Sequence, residues 1–119
     1  MLNINFELAN QNNLSAEDLV FISYIELKLK EKKSDEGIIT YKEILNELPI
    51  VFNSKSEQVN LKKLRKMLDN ENMNKFITRE VKQLGRGVGA TTIFRINKEN
   101  IDKLKIKRLV NYGGDNYER

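Results

Sequence analysis

The 119-residue sequence contains no cysteine and no histidine. These absences exclude disulfides, thiol chemistry and the commonest transition-metal ligands, and they remove the usual general base near neutral pH. No apolar run approaches the roughly 18 residues of a transmembrane helix, and the first residues lack the basic start and apolar core of a signal peptide. We therefore expect a cytoplasmic protein with no membrane association, no cofactor, no metal and no small-molecule substrate.

The sequence also lacks a recognisable set of catalytic residues. The acidic residues are scattered, without a spaced carboxylate pair or a nucleophile beside a base, so we expect no catalytic residues and no enzymatic activity. Hydrophobic residues make up 39% of the chain and charged residues 32%, which suits one compact domain. We expect this domain to span residues 1–111. A flexible tail with two glycines and no apolar pattern should span residues 112–119.

Charge is distributed unevenly along the chain. Residues 1–54 contain 5 basic and 9 acidic side chains, whereas residues 55–109 contain 15 basic and 6 acidic ones, and the whole chain has a net charge of +4. A basic half joined to an acidic half indicates a polarised surface and a polyanionic partner. The alternative interpretation is a lysine-rich face that only contacts solvent.

The N-terminal half predicts a strand, two helices and a second short strand. Alternating apolar and polar residues predict the first strand over residues 2–8. Ser15 is a good N-cap for a long helix whose apolar face has helical spacing. A short apolar run over residues 37–40 predicts the second strand. Thr40 and Glu43 form the sequence pattern of a capping box, which predicts the start of the next helix.

The C-terminal half predicts a basic helix, a hairpin and a final helix. The basic helix begins near Ser54 or Ser56 and has leucines at helical spacing. Residues 75–83 and 90–97 are rich in β-branched and aromatic residues and flank a glycine-containing loop, which predicts a β-hairpin. Residues 98–110 show a helical apolar pattern.

This order of elements resembles the winged helix-turn-helix superfamily. The likeness rests on GIIT followed by YKEILNEL, on the basic helix SEQVNLKKLRKML, and on the hairpin FITREVKQLGRGVGATTIFRI. It covers about residues 15–97, and the connection before the basic helix is longer than the tight turn of a simple helix-turn-helix. The resemblance implies an α+β fold with a three-helix core, a two- to three-stranded antiparallel sheet and a C-terminal helix. It also implies binding to double-stranded DNA.

The loop LGRGVG between the hairpin strands contains three glycines and Arg86. A P-loop for nucleotides needs a lysine, then a serine or threonine, and then a helix after its last glycine. Here Ala90 and a β-branched run follow Gly89, so the helix end that would bind phosphate is missing. A plain hairpin turn whose glycines supply positive φ is one interpretation. The other is a wing whose arginine enters a narrow minor groove, because Gly85 and Gly87 leave no Cβ to collide with its walls.

The basic helix supplies the second half of the predicted interface. The major groove of DNA accommodates an α-helix, so polar residues near the start of this helix are candidates for hydrogen bonds to base edges. Basic residues along the helix and the hairpin are candidates for phosphate contacts. The alternative is an exposed helix with internal charge pairs. The predicted DNA-binding residues are Lys55, Ser56, Gln58, Asn60, Lys62, Lys63, Arg65, Lys66, Arg79, Lys82, Gly85, Arg86, Gly87 and Arg95.

These features predict a sequence-specific, non-enzymatic binder of double-stranded DNA. The asparagine- and lysine-rich composition is typical of an A·T-rich bacterial, phage or plasmid source, and we expect a repressor or an accessory protein at a plasmid origin of replication or transfer. A homodimer would use the N-terminal strand or the last helix. One alternative is a protein-interaction module, such as a phage-type inhibitor, with the tail as a contact to its partner. Another is a single-stranded DNA binder, for which Phe76 and Phe94 are candidate stacking platforms, although we expect both to pack in the core.

Overall fold

The computed structural model describes residues 4–85, 87 and 89–105. This part of the chain has an α+β fold, as the sequence predicts. Arg86, the predicted helical residues 106–110 and the predicted tail 112–119 lie outside the described residues. The described elements are α1 (Phe6–Gln11), α2 (Ala16–Glu31), β1 (Glu36–Ile38), α3 (Tyr41–Glu47), α4 (Glu57–Leu68), a 3₁₀ turn (Met73–Lys75), β2 (Ile77–Gly85), β3 (Gly89–Ile96) and α5 (Lys98–Leu104).

The three strands form one antiparallel sheet in the order β1-β3-β2. β1 pairs only with the C-terminal part of β3, where Gly37 lies opposite Phe94. β2 and β3 form a longer hairpin, in which pairing begins with Ile77 opposite Ile96 and continues to the glycines at the tip. The predicted hairpin is therefore confirmed. Its distal half is a two-stranded ribbon that extends beyond the three-stranded sheet.

Three predicted helix starts are confirmed by their caps. At the start of α2, Ser15 Oγ accepts from the Asp18 N–H at 3.0 Å and Asp18 Oδ2 accepts from the Ser15 N–H at 2.8 Å. Thr40 Oγ1 accepts from the Glu43 N–H at 3.1 Å at the start of α3, and Ser56 caps α4 in the same way. Each cap satisfies a backbone donor that the helix leaves unpaired, which fixes where the helix begins.

The predicted N-terminal strand is wrong for the residues that the structure describes. Asn5 Oδ1 accepts from the Leu8 N–H at 3.1 Å, and helix α1 begins at Phe6. Ile4 makes an isolated antiparallel bridge with Lys105 instead of entering a sheet. An asparagine N-cap stabilises a helix by about 1 kcal/mol, and it favours a helix start at this position. The helix also packs half-buried Leu8 against the core.

Helices α2, α3 and α4 pack with the sheet around one apolar core. Phe21 of α2 meets Phe52, in the connection between α3 and α4, edge to face with ring centroids 6.5 Å apart. Phe94 covers the inner face of the sheet and is fully buried. The side chains that helical spacing predicts to be buried, and that the structure buries, are Ile22, Ile25, Leu29, Ile44, Leu48, Leu64 and Leu68.

Candidate nucleic-acid interface

One face of α4 is exposed to solvent. Ser56 caps the helix with its hydroxyl oxygen, which accepts from the backbone N–H three residues later at 3.3 Å. Leu64 and Leu68 turn the opposite face towards the core. Residues three and four positions apart lie on the same side of a helix. The exposed side, which we call the α4 outer face, consists of Gln58, Val59, Lys62, Arg65 and Lys66.

The cations of the α4 outer face have no partner in the described part of the protein. No carboxylate of residues 4–85, 87 or 89–105 lies within 4.0 Å of Lys62, Arg65 or Lys66. Lys55, which is exposed just before the helix, is also unpaired within these ranges. Such side chains are available to phosphate groups, and phosphate contacts supply most of the affinity of proteins for DNA.

Two predicted contact residues of α4 make hydrogen bonds within the protein. Asn60 Oδ1 accepts from the Ser54 N–H at 3.0 Å, and its Nδ2 donates to the Ser54 carbonyl at 2.9 Å. Lys63 Nζ donates to the Val51 carbonyl at 2.7 Å and pairs with Glu17 Oε2 at 2.8 Å. Both side chains hold the connection before α4 in place, which argues against base or phosphate contacts for them.

The hairpin presents its predicted residues on two faces. Arg79 lies opposite Phe94 in the strand register and therefore on the core side, whereas Lys82 and Arg95 lie on the outer side. Arg95 Nε donates to Glu36 Oε1 at 2.6 Å, and this hydrogen bond with the charge of Glu36 raises the pKa of Arg95. Lys82 is exposed and has no ion-pair partner among the residues described. Of the two outer cations, Lys82 is therefore the better candidate for a phosphate.

A groove of about 470 Å³ lies between α4 and the core side of the hairpin. Arg65 lines it from α4, and Arg79 lines it from β2. Arg79 NH2 donates to Asp69 Oδ1 at 2.6 Å, and NH1 donates to the Tyr41 hydroxyl at 2.9 Å. The groove thus brings together a predicted residue of the basic helix and a predicted residue of the hairpin.

The tip of the hairpin is built on glycine. The φ angles of Gly85, Gly87 and Gly89 are 136°, 75° and 97°, in a region that L-residues rarely adopt. A Cβ on Gly87 would meet no atom within 4 Å. Backbone conformation, and not crowding, therefore favours glycine there. Arg86 lies outside the described residues, so its contact with a minor groove stays a prediction.

Two residues of the candidate interface are absent from the set predicted from the sequence. Val59 is 55% exposed on the α4 outer face, where an apolar side chain suits the methyl group of thymine. The signal that would have found it is an apolar residue at a position that helical spacing assigns to the polar face. Tyr41 reaches the groove through a hydrogen bond to a strand 38 residues away, for which no local pattern exists.

Among the described residues, no helix combines the length and the apolar content needed to cross a membrane, and no three carboxylates cluster as metal ligands. No known protein family, curated protein or solved structure matches this chain. What the protein binds must therefore be inferred from its surface.

Proposed function

We propose that this protein binds double-stranded DNA and catalyses no reaction. The α4 outer face would enter the major groove, and the hairpin tip would follow the backbone to the adjacent minor groove. The observation that carries the proposal is the row of Lys62, Arg65 and Lys66, which are exposed and have no carboxylate partner within the described ranges. A helix in the major groove contacts base edges with the side chains that point into the groove and phosphates with those at its sides. The three cations of this row are suited to phosphate contacts.

The arrangement of elements supports the same proposal. The fold is compatible with a winged helix, in which α4 would be the recognition helix and the β2–β3 hairpin the wing. Gln58 and Val59 lie exposed in the first turn of α4. Glutamine can make two hydrogen bonds to the major-groove edge of an adenine, and valine can contact a thymine methyl group, so these two residues are our candidates for reading sequence.

We further propose a role as a repressor or as an accessory protein at a plasmid origin of replication or transfer, which the asparagine- and lysine-rich composition favours. A homodimer that reads a two-fold site belongs to this proposal. The N-terminal segment and α5 contact each other, with the Asn5 N–H donating to the Leu104 carbonyl at 2.7 Å. Because these two segments lie side by side, a dimer contact can be tested with substitutions in both.

Single-stranded DNA is disfavoured as the preferred ligand. Phe76 and Phe94 are 3% and 0% exposed, so neither offers a ring face on which a base could stack. A protein partner is the second candidate. The feature that favours it is the exposure of Val81 and Leu84 on the hairpin, at 57% and 55%.

Fluorescence anisotropy at several salt concentrations tests the proposal. The two ligands are a duplex and a single strand of the same A·T-rich sequence. If about five phosphates are neutralised, the logarithm of the affinity should fall against the logarithm of the salt concentration with a slope of roughly −4 to −5. The single strand should bind more weakly. A flat salt response, or no duplex binding, contradicts the proposal and favours the protein partner.

Replacing Arg86 by alanine tests the proposed minor-groove contact. Affinity should fall more on duplexes with an A-tract beside the site than on duplexes with a G·C flank, because the narrow groove has the more negative potential. The substitution should change the free energy of unfolding by less than about 0.5 kcal/mol. If Arg86→Ala lowers the affinity for both duplexes equally, or for neither, the glycine loop acts only as a turn.

A further inference from the structure

The groove between α4 and the hairpin is rich in hydrogen-bond donors. A guanidinium carries five N–H donors, and the described hydrogen bonds of Arg79 direct one at Tyr41 and one at Asp69. Arg65 contributes a second guanidinium from α4, and Thr40 and Thr92 also line the groove. This set of groups suits an anion with several oxygen atoms.

The Tyr41 hydroxyl is a further hydrogen-bond donor at the groove. Its oxygen accepts from Arg79 NH1 at 2.9 Å, so the phenolic proton remains for another acceptor. The Tyr41 ring packs against buried Phe94 with centroids 6.5 Å apart, which holds the hydroxyl at the groove. A donor that is fixed before binding loses little entropy when the ligand arrives.

Asp69 supplies an anion that a ligand can replace. Its side chain is 70% exposed and accepts from Arg79 NH2 at 2.6 Å, whereas the Arg79 side chain is only 22% exposed. Carboxylate and phosphate oxygens make the same charge-assisted hydrogen bonds to a guanidinium. An ion pair with so exposed a carboxylate is weak, because water screens it.

We propose that this groove binds one phosphodiester of the DNA backbone, which replaces Asp69 at Arg79 and is held at the same time by Arg65 and Tyr41. The inference rests on the proposed binding of duplex DNA. The groove adjoins the α4 outer face through Arg65, so a DNA strand that runs from this face to the hairpin would pass it. Asp69 therefore lowers the affinity for DNA, since its contact with Arg79 must break before the phosphate can bind.

Replacing Asp69 by asparagine tests the inference, because asparagine keeps the shape of the side chain and removes the competing charge. Affinity for the duplex should rise roughly three- to tenfold at 0.1 M salt, and the salt slope should steepen by up to about 0.9. Glu71→Gln is the matched control. It removes the same charge two residues away, from an exposed side chain that does not line the groove. Its gain should be less than about twofold, since salt screens separated surface charges.

Backbone neutralisation identifies the ligand as a phosphodiester of the DNA. Methylphosphonate is placed at one position of the duplex at a time. At one position the gain in affinity from Asp69→Asn should disappear, because the phosphate that binds in the groove has lost its charge. Equal gains from Asp69→Asn and Glu71→Gln, no gain from Asp69→Asn, or a gain that survives at every position would overturn the inference.

A measurement without DNA separates this inference from the proposed function. Inorganic phosphate is titrated against chloride at equal ionic strength, and the Nε–H signals of Arg65 and Arg79 are followed by NMR. Saturable shifts with phosphate, at lower concentrations in Asp69→Asn, are expected even if no duplex binds. If the duplex binds with a steep salt dependence but phosphate shifts neither signal more than chloride does, the function stands and the groove inference fails.

Discussion

Two adjacent lysines of α4 serve different parts of the protein. Lys63 lies on the inner side, where its ammonium group contacts the Val51 carbonyl and Glu17. Lys62 lies on the outer side, exposed and without a carboxylate within 4.0 Å in the described chain. Both lysines contribute equally to the net charge. Their positions around the helix decide that one stabilises the fold and that the other is available to a partner.

The same division holds for cations on other elements. Lys28 of α2 pairs with Glu43 and Glu47 of α3, and its hydrogen bond to Glu43 is the main cause of its raised pKa. Lys105 pairs with Glu26 at 2.7 Å. These two cations, each of which faces another element, are thus neutralised by carboxylates of the acidic N-terminal half. In the part of residues 55–109 that the structure describes, unpaired positive charge therefore remains at exposed positions such as those of the α4 outer face.

The largest expected effect comes from removing the available cations together. Changing Lys62, Arg65 and Lys66 to glutamine should flatten the salt slope by about 2.7 and lower duplex affinity at 0.1 M salt on the order of 100- to 1,000-fold, because three phosphate contacts are lost. Anisotropy titrations measure both quantities. The melting temperature should stay close to that of the wild type, since exposed substitutions change stability little.

A second triple variant provides the control for this experiment. Lys30, Lys98 and Lys103 are exposed on α2 and α5, so their change to glutamine removes the same charge away from α4. This variant should retain most of the affinity. Similar losses in the two triple variants would show that net charge, and not the α4 outer face, governs binding.

The next largest effect distinguishes two polar residues at the start of α4, one expected to act in binding and the other in stability. Gln58→Ala should weaken binding to a preferred duplex by about 1–3 kcal/mol, and much less to random duplexes, if Gln58 contacts a base edge. Asn60→Ala should instead lower the free energy of unfolding by about 1–3 kcal/mol, because the partly buried Ser54 backbone loses both of its bonds to the side chain. Competition titrations and urea unfolding give the two values. A sequence-specific loss for Asn60→Ala at unchanged stability would reverse these assignments.

From α2 onward, the order of the helices and strands could be predicted because its signals are local. Ser15, Thr40 and Ser56 each cap a helix through an N–H three residues away, so cap and apolar spacing can be recognised together in the sequence. The N-terminal helix was wrongly predicted as a strand. Its cap, Asn5, lies inside a segment whose apolar alternation favours a strand, and the six-residue helix is too short to show a clear period.

The roles of individual charged residues could not be predicted, because their partners are distant in sequence. Lys63 and Glu17 are 46 residues apart, and Arg95 and Glu36 are 59 residues apart. Helical spacing places Lys62 and Lys63 on different faces of α4, but it does not show that Glu17 of α2 forms an ion pair with Lys63. Residue type and local pattern therefore predict a basic interface without showing which of its cations are neutralised.

A smaller effect on stability, with little effect on binding, is expected for Lys63→Met. The substitution leaves the Val51 carbonyl and Glu17 without their hydrogen-bond donor. Because the Lys63 side chain is 35% exposed, we discount the full value of a charged hydrogen bond and expect a loss of about 1–2 kcal/mol in the free energy of unfolding. Urea unfolding of Lys63→Met, Glu17→Gln and the double variant should show coupling between the two residues of at least about 0.5 kcal/mol.

Duplex affinity is the second readout for Lys63→Met. At a temperature where the variant is fully folded, its salt slope should equal that of the wild type, because Lys63 makes no phosphate contact in our proposal. A slope flatter by about 0.9, as for the loss of one contact, would show that Lys63 leaves Glu17 when DNA binds and would remove the distinction between the two faces of α4.

The smallest effect concerns the paired charges between α2 and α3, and it depends on pH. Glu47 Oε1 accepts from the Tyr24 hydroxyl at 2.8 Å and lies 3.2 Å from Lys28 Nζ. The hydrogen bond from Tyr24, followed by that from Lys28, holds the pKa of Glu47 below its ordinary value of 4.5. A carboxylate with a lowered pKa in the folded state stabilises the fold fully above its unfolded pKa, and this contribution is lost as the pH falls through the folded value. Wild type should therefore exceed Glu47→Gln in stability at pH 7, and the difference should shrink below pH 4.5 in urea unfolding curves.

Glu71→Gln, at an exposed residue with no ion pair in the described chain, controls for the general effect of losing a negative charge. Duplex affinity at pH 7 should be the same in Glu47→Gln and Glu71→Gln, since neither residue lies on the α4 outer face. A constant difference between wild type and Glu47→Gln across this pH range would show that the carboxylate contributes through its shape and not through its charge.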